Sequence, residues 1–383
     1  MNLRPDQDIS LALSGGGTRA MAYHLGVLKW MAERDLFERV TRISTVSGGS
    51  LVTGFIYKSN DFAWPSSRHF LDKTLPEIRD LLCNRSLQEG ALGQLLWPPN
   101  LRFILSRANL VALELAQHWG FNVPMSHIKS GPEWSINGTN AQNGKRFRFK
   151  GSEIGDHNVG YAVAPNFPLA KALAVSAAFP IGIGPLTIKA GDFIWKKRPY
   201  WNAPESAAEV VKLPYEEFQL YDGGLYDNLG TESLFDLGKL ESRHAGDFII
   251  VSDAGAPFTY GTTWGPLDWR RFKRLMDVMS DQTRALRVRS LVAYLKMSPS
   301  NGAFFPIGTP INGRDCPDAK YATTFPTSLE RFSKEDFARL SGYGYAVAEC
   351  VDRRHGSFPP ALVSSAPSSV STASVMGATS AVR

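Results

Sequence analysis

Twice before Asn60 the chain runs a short apolar stretch into a glycine turn and then into a helical pattern, and this repetition limits the folds open to it. The first unit is "ISLAL" (Ile9 to Leu13), then "SGGG", then a stretch with Met21, Leu25, Leu28 and Ala32 at helical spacing and Lys29, Glu33 and Arg34 off that stripe. The second is "RVTRISTV" as strand, "SGGS" as turn and "LVTGFIYKS" as helix. Consecutive strand–turn–helix units predict an α/β fold with a central, mostly parallel sheet flanked by helices. A further buried strand is expected at "DFIIVSDAG" (Asp247 to Gly255), where an apolar run ends in turn residues.

The motif-bearing core spans about 9–255 and a helical C-terminal part about 256–357, read together as one domain over 1–357. Between Phe70 and Trp119 the chain is apolar and helical, interrupted at "WPPN" (Trp97 to Asn100), and reads as packing helices rather than a cap over a substrate. "EWSINGTNAQNGKRFRFKG" has Asn/Gly turn chemistry between two strand-like arms and predicts a hairpin. From Phe358 onward the chain is rich in Ser, Ala and Pro without periodicity, which predicts a disordered tail over 358–383.

Lys and Arg number 42 against 36 Asp and Glu, a formal charge of +6. That mild bias and the absence of a recognised binding motif argue against a nucleic-acid partner. Cys83, Cys316 and Cys350 lie far apart, with no CxxC spacing, so neither a disulfide framework nor a zinc ribbon is expected. No apolar run reaches the length of a membrane span, and "MNLRPDQDIS" lacks the apolar region of a secretory signal. A cytoplasmic protein is expected.

Three turns carry chemistry. "LALSGGGTRA" ends a strand and opens a helix, where backbone N–H groups and the helix dipole favour negative charge. It has neither GxxxxGK[ST] nor GxGxxG, so the alternatives are an oxyanion hole and a tight turn without a ligand. Arg19 either adds positive charge there or anchors the loop. Ser47 in "TVSGGS" has the surroundings of a nucleophile elbow, with Thr45 in place of the first glycine of GxSxG. A serine needs a base, and none of the seven histidines has a persuasive context; His24 reads as a hydrogen-bonded core residue. "FQLYDGGLYDNLG" offers a carboxylate instead: Asp222 at a strand end, followed by Gly223 and Gly224. Asp253 is a rival with similar placement, and Asp227 and Asn228 read as turn-formers.

In this order and context, "SGGGTRA", "TVSGG" and "YDGG" resemble the patatin-like phospholipases, which carry a GGGx[RK] oxyanion motif, a GxSxG elbow and a DG[GA] motif. "HLGVLKWM", "ALAVSAAFPIGIGP" (Ala172 to Pro185) and "DGGLYDNLG" extend the resemblance from about Ile9 to Asp253, and "FPTSLERFSKEDFARLSGYGYA" adds to it weakly. Ala20 and Thr45 stand where that family usually has glycine. The resemblance implies Ser47 as nucleophile, Asp222 as base and later acid, and an oxyanion hole from the backbone of Gly15, Gly16 and Gly17 with Arg19 nearby. It implies no metal and no cofactor.

The activity implied is hydrolysis of acyl esters of phospholipid or lysophospholipid, with peripheral contact at the inner membrane face. The alternatives are an acyltransferase using the same acyl-serine and a non-catalytic scaffold. The basic stretch "DWRRFKRLMDVMSDQTRALRVR" (Asp268 to Arg289) reads first as a solvated charged face and second as a membrane contact. Spare length at 70–119 and after Asp253 leaves room for control by an activator.

Overall fold

The computed structural model describes residues 3–361 apart from 130, 181, 201–202, 259, 262–263, 266, 269, 312, 314–315 and 357. The elements that position the site are, in chain order, β1 (Ile9–Leu13), α1 (Gly17–Ala32), β2 (Val40–Val46), α2 (Gly48–Ser59), β3 (Glu133–Asn140), β4 (Lys145–Lys150), α3 (Leu169–Ser176), β5 (Glu217–Asp222), β6 (Phe248–Asp253), α4 (Arg270–Met297), β7 (Gly302–Pro306) and α5 (Lys334–His355). Both N-terminal units form as their sequence pattern predicts, and the third strand falls within the stretch expected of it.

Neighbouring strands run β7-β6-β1-β2-β3, all parallel. Beyond β3 the sheet turns antiparallel through β4 and the short strands 153–156 and 160–163. The expected hairpin is the β3–β4 pair, and β3 is also where the parallel and antiparallel halves join. The central sheet is therefore mixed, and the site lies at β3, where its parallel and antiparallel parts join.

Alternation along the central strands sorts side chains to two faces. Leu11, Leu13, Phe248 and Ile250 face the main core, which includes α1, α2 and α5. Ala12, Ile249 and Val251 face the other way, against Leu291 and Tyr294 of α4 and Phe235. Helix layers thus cover both faces of the parallel strands.

Helix α1 is buried all round except at Lys29, more fully than its single apolar stripe suggests. The cause is α5, which lies so close that a Cβ on Gly344 would come within 2.2 Å of the Tyr23 carbonyl. The C-terminal part of the chain is thus part of the same core. Phe358 also belongs to it, with its ring 4.8 Å from Trp30 and 5.3 Å from Phe248. The tail reading therefore starts on a packed residue, and its stretch from 362 lies outside the described residues.

The 70–119 region is helical, and Phe70, Ile78, Leu82, Leu110 and Leu115 are buried as packing residues. Its middle behaves otherwise: Leu96, Trp97 and Leu105 are exposed around a 3₁₀ helix at Pro98–Phe103.

Candidate active site

β2 and β5 share one edge of β3. β2 runs parallel to it as far as Val46 opposite Asn137, and β5 arrives antiparallel with Asp222 opposite Gly138, the next residue. Two strands thus meet end to end in one slot, and their C-termini bring Ser47 and Asp222 together. The Ser47 side chain thereby lies close enough to the Asp222 carboxylate to act on its protonation.

The turn at Ser47 is tight. Its φ of 52° and ψ of −122° put a non-glycine residue in the left-handed half of backbone space, a strain that is held only where the surroundings enforce it. The enforcement comes from packing around the elbow: a Cβ on Gly48 would stand 2.2 Å from the Gly17 carbonyl, so α2 starts directly against the first glycine turn.

A chain of buried hydroxyls fixes the elbow from beneath. Trp134 Nε1–H donates to Thr45 Oγ1 (2.9 Å), Thr45 and Ser50 are 2.8 Å apart, Ser50 and Ser176 are 2.7 Å apart, and Ser176 donates to the Asn137 carbonyl at 2.7 Å. An indole only donates and a carbonyl only accepts, so every proton in between points the same way, from Trp134 toward Asn137. Ser176 Oγ then accepts the Ser47 backbone N–H at 3.0 Å. Thr45, the departure from glycine, is a member of this chain rather than an obstruction at the nucleophile.

Asp222 is buried, and its Oδ1 accepts the Gly224 N–H at 2.7 Å. Burial raises its pKa from the ordinary carboxylate value to about 7, and the Gly224 N–H bond and the nearby Ser47 side chain oppose that rise. Its own backbone is tied down as well: its N–H donates to the Ala178 carbonyl at 3.0 Å and its carbonyl accepts from Thr139 Oγ1 at 2.8 Å.

The glycine turn after β1 lies beside the pair, with a Cβ on Gly15 falling 3.0 Å from that of Ser47. Gly15 commits its N–H to the Asn228 carbonyl (3.0 Å). The amides of Gly16 (φ 148°) and Gly17 (φ 61°) have no acceptor among the described residues. Arg19 points elsewhere: its buried guanidinium donates to the carbonyls of Ala254 (3.2 Å) and Phe325 (2.8 Å), which anchors two loops. Burial lowers its pKa to about 10, with Asp253 acting in the other direction.

The remaining candidates have structural partners. Asp253 is paired with Arg284 and accepts the Gly255 N–H. Asp227 accepts from Leu229 N–H and Glu232 N–H, the turn-forming role read for it. His24 is fully buried between the Ser14 carbonyl (2.9 Å) and the Ser252 hydroxyl (2.7 Å), and burial lowers its pKa to about 4. A neutral imidazole there donates from Nε2 and accepts at Nδ1. Among the described residues no group of His, Cys, Asp and Glu is arranged to hold a metal ion, and no helix is long and apolar enough to cross a membrane.

Two site residues had weak sequence signals. Ser176 reads as one more small residue in "LAVSAAF". Asn228 reads as a turn-former, yet its side-chain oxygen fills the space where Cβ atoms of Gly15 and Gly224 would stand (2.4 and 2.7 Å). It separates the two glycine turns.

The fold has counterparts among solved structures. The human GIVD cytosolic phospholipase A2 structure is similar over 92% of this chain at 16% identity, with a TM-score of 0.53. The same enzyme in complex with methyl gamma-linolenyl fluorophosphonate gives 14% identity over 92% of this chain and 59% of its own, at a TM-score of 0.48. VipD from Legionella pneumophila gives 14% identity over 92% of this chain and 68% of its own, at a TM-score of 0.37. The chain corresponds to 60% of the length of the first of these structures. No curated protein sequence matches it. The family model for patatin-like phospholipases matches residues 11–235, which include all three glycine-bearing turns, and this chain belongs to that family.

Proposed function

We propose that the protein is a serine lipid acyl hydrolase of phospholipase A or lysophospholipase type, acting through a Ser47–Asp222 dyad and an acyl-serine intermediate. The observation that carries this reading is the end-to-end meeting of β2 and β5, which puts a strained serine beside a buried carboxylate.

Ionised Asp222 takes the Ser47 hydroxyl proton as Oγ attacks the ester carbonyl carbon. The carbonyl oxygen becomes an oxyanion, and the amides of Gly16 and Gly17 donate to it at the N-terminus of α1. The C–O bond to the glycerol breaks, and Asp222 returns its proton to the leaving alkoxide. Water then repeats the sequence: Asp222 takes its proton, the hydroxyl attacks the acyl-serine, and the proton goes back to Ser47 as fatty acid leaves. A carboxylate with a pKa of about 7 accepts and returns a proton near neutral pH with little penalty in either direction.

The substrate class rests on the family and on the apolar rim. Phe179 follows the Ala178 carbonyl that holds Asp222, Leu225 follows Gly224, and both are exposed where an acyl chain would lie. A cytoplasmic setting suits three cysteines that are not joined to one another. The test is fatty-acid release from mixed phospholipid vesicles, measured by mass spectrometry beside Ser47→Ala and Asp222→Asn. Release abolished by both substitutions supports the dyad. Release that persists in Ser47→Ala overturns it.

A further inference from the structure

Helix α4 is far longer than the sheet it packs on. Its C-terminal half is seated, with Leu291 and Tyr294 buried against Ile249 and Val251. Near its middle, Arg284 pairs with Asp253 at the C-terminal end of β6 and Arg287 pairs with Glu232. After Met297 the chain turns into β7, whose first residue, Gly302, pairs with Ile249 near the start of β6. The helix therefore runs against the strand direction, and everything before Arg284 stands beyond the sheet edge that carries Ser47 and Asp222. Fourteen residues at 1.5 Å each make an overhang of about 21 Å.

The overhang is exposed and apolar along one stripe. Phe272, Leu275 and Met279, at i, i+3 and i+7, are 77%, 60% and 70% exposed, and Leu286 continues the row. The loop rising to it from β6 exposes Tyr260 and Leu267 almost completely. From Asp268 to Arg289 the segment carries seven Arg and Lys against Asp268, Asp277 and Asp281, with Arg270 paired to Asp268 and Lys273 to Asp277. A solvated charged face, the first reading of this stretch, does not account for the apolar stripe. An apolar stripe flanked by arginine and lysine is what an interfacial helix presents to lipid, with rings and aliphatic chains in the acyl boundary and cations among phosphates.

We propose that the N-terminal half of α4, with Tyr260 and Leu267, docks the protein on an anionic phospholipid surface and so holds the Ser47 edge against the membrane. The choice of lipid over other occupants rests on the hydrolase reading above, on the excess of positive charge, and on the position of the overhang beside the site.

The test uses full-length protein carrying Ser47→Ala, so that vesicles stay intact, sedimented with phosphatidylcholine vesicles with and without phosphatidylglycerol. Binding is expected to be stronger by about tenfold or more with phosphatidylglycerol and to weaken at high salt. Phe272→Ser, Leu275→Ser and Met279→Ser together should reduce it by about tenfold or more. In the Ser47 background the same three substitutions should leave hydrolysis of a soluble short-chain ester unchanged, which also shows that the variant is folded.

Equal vesicle binding by parent and variant overturns the proposal. So does absence of binding, or a self-association that the three substitutions abolish, which would make the stripe a contact between copies. Failure of the hydrolase reading looks different: no turnover of the soluble ester, with vesicle binding retained.

Discussion

Asp222 faces Ser47 because both lie where two strands running in opposite directions end on adjacent residues of β3, Asn137 and Gly138. This arrangement buries the carboxylate, and burial raises its pKa to about 7. The cost of holding that charge should be visible in stability.

With a folded pKa near 7 and an unfolded value near 3.9, the folded protein binds the extra proton between those limits. Stability conferred by the protonated carboxyl is full below about pH 4 and is lost as pH rises through about 7, at about 1.4 kcal/mol per unit. Asp222→Asn has no such slope and can keep the Gly224 N–H bond through its amide oxygen. The variant should gain about 3 kcal/mol on wild type between pH 5 and pH 8, measured by denaturant titration at each pH. A difference independent of pH contradicts the burial account of Asp222.

Replacing Thr45 by glycine restores the usual elbow sequence, yet it should weaken the protein. It removes the acceptor for Trp134 Nε1–H and the donor for Ser50. The expected loss is about 1–3 kcal/mol in unfolding free energy, with no gain in turnover. Ser176→Ala should act closer to the chemistry, since it removes the acceptor for the Ser47 N–H. Turnover should fall by about tenfold or more with KM little changed, because the elbow and not the substrate contact is loosened.

Gly17→Ala should abolish the activity. Its φ of 61° disfavours a side chain, and a Cβ would lie 2.4 Å from the Ser328 carbonyl. Moving that turn displaces the proposed oxyanion donors, and loss of one such donor costs about 100-fold or more in turnover. Retained activity in a folded Gly17→Ala protein would remove the glycine turn from the mechanism. Circular dichroism and thermal unfolding establish the folded state.

The three glycine-bearing turns were legible in the sequence because each is local: an apolar run, then residues that break it. Their meeting was not, since it depends on which edge of β3 receives β5, a pairing between residues far apart in the chain. Ser176 was hidden for the same reason, as nothing in "LAVSAAF" shows that its hydroxyl sits under Ser47. Arg19 carried two readings in the sequence, and only the positions of the Ala254 and Phe325 carbonyls show where its guanidinium goes. In α4 the periodicity of Phe272, Leu275 and Met279 is the same whether a partner covers them or not. Exposure is a property of the assembled fold.

The proposed activation of Ser47 by Asp222 is tested most directly by the rate at which a fluorophosphonate labels Ser47 as a function of pH. In wild type the rate should rise with an apparent pKa near 7 and level off above it, as the carboxylate ionises. In Asp222→Asn it should be slower by about 100-fold or more and lack that step. Labelling of Asp222→Asn at the wild-type rate, or attachment of the label to another residue, would contradict the dyad.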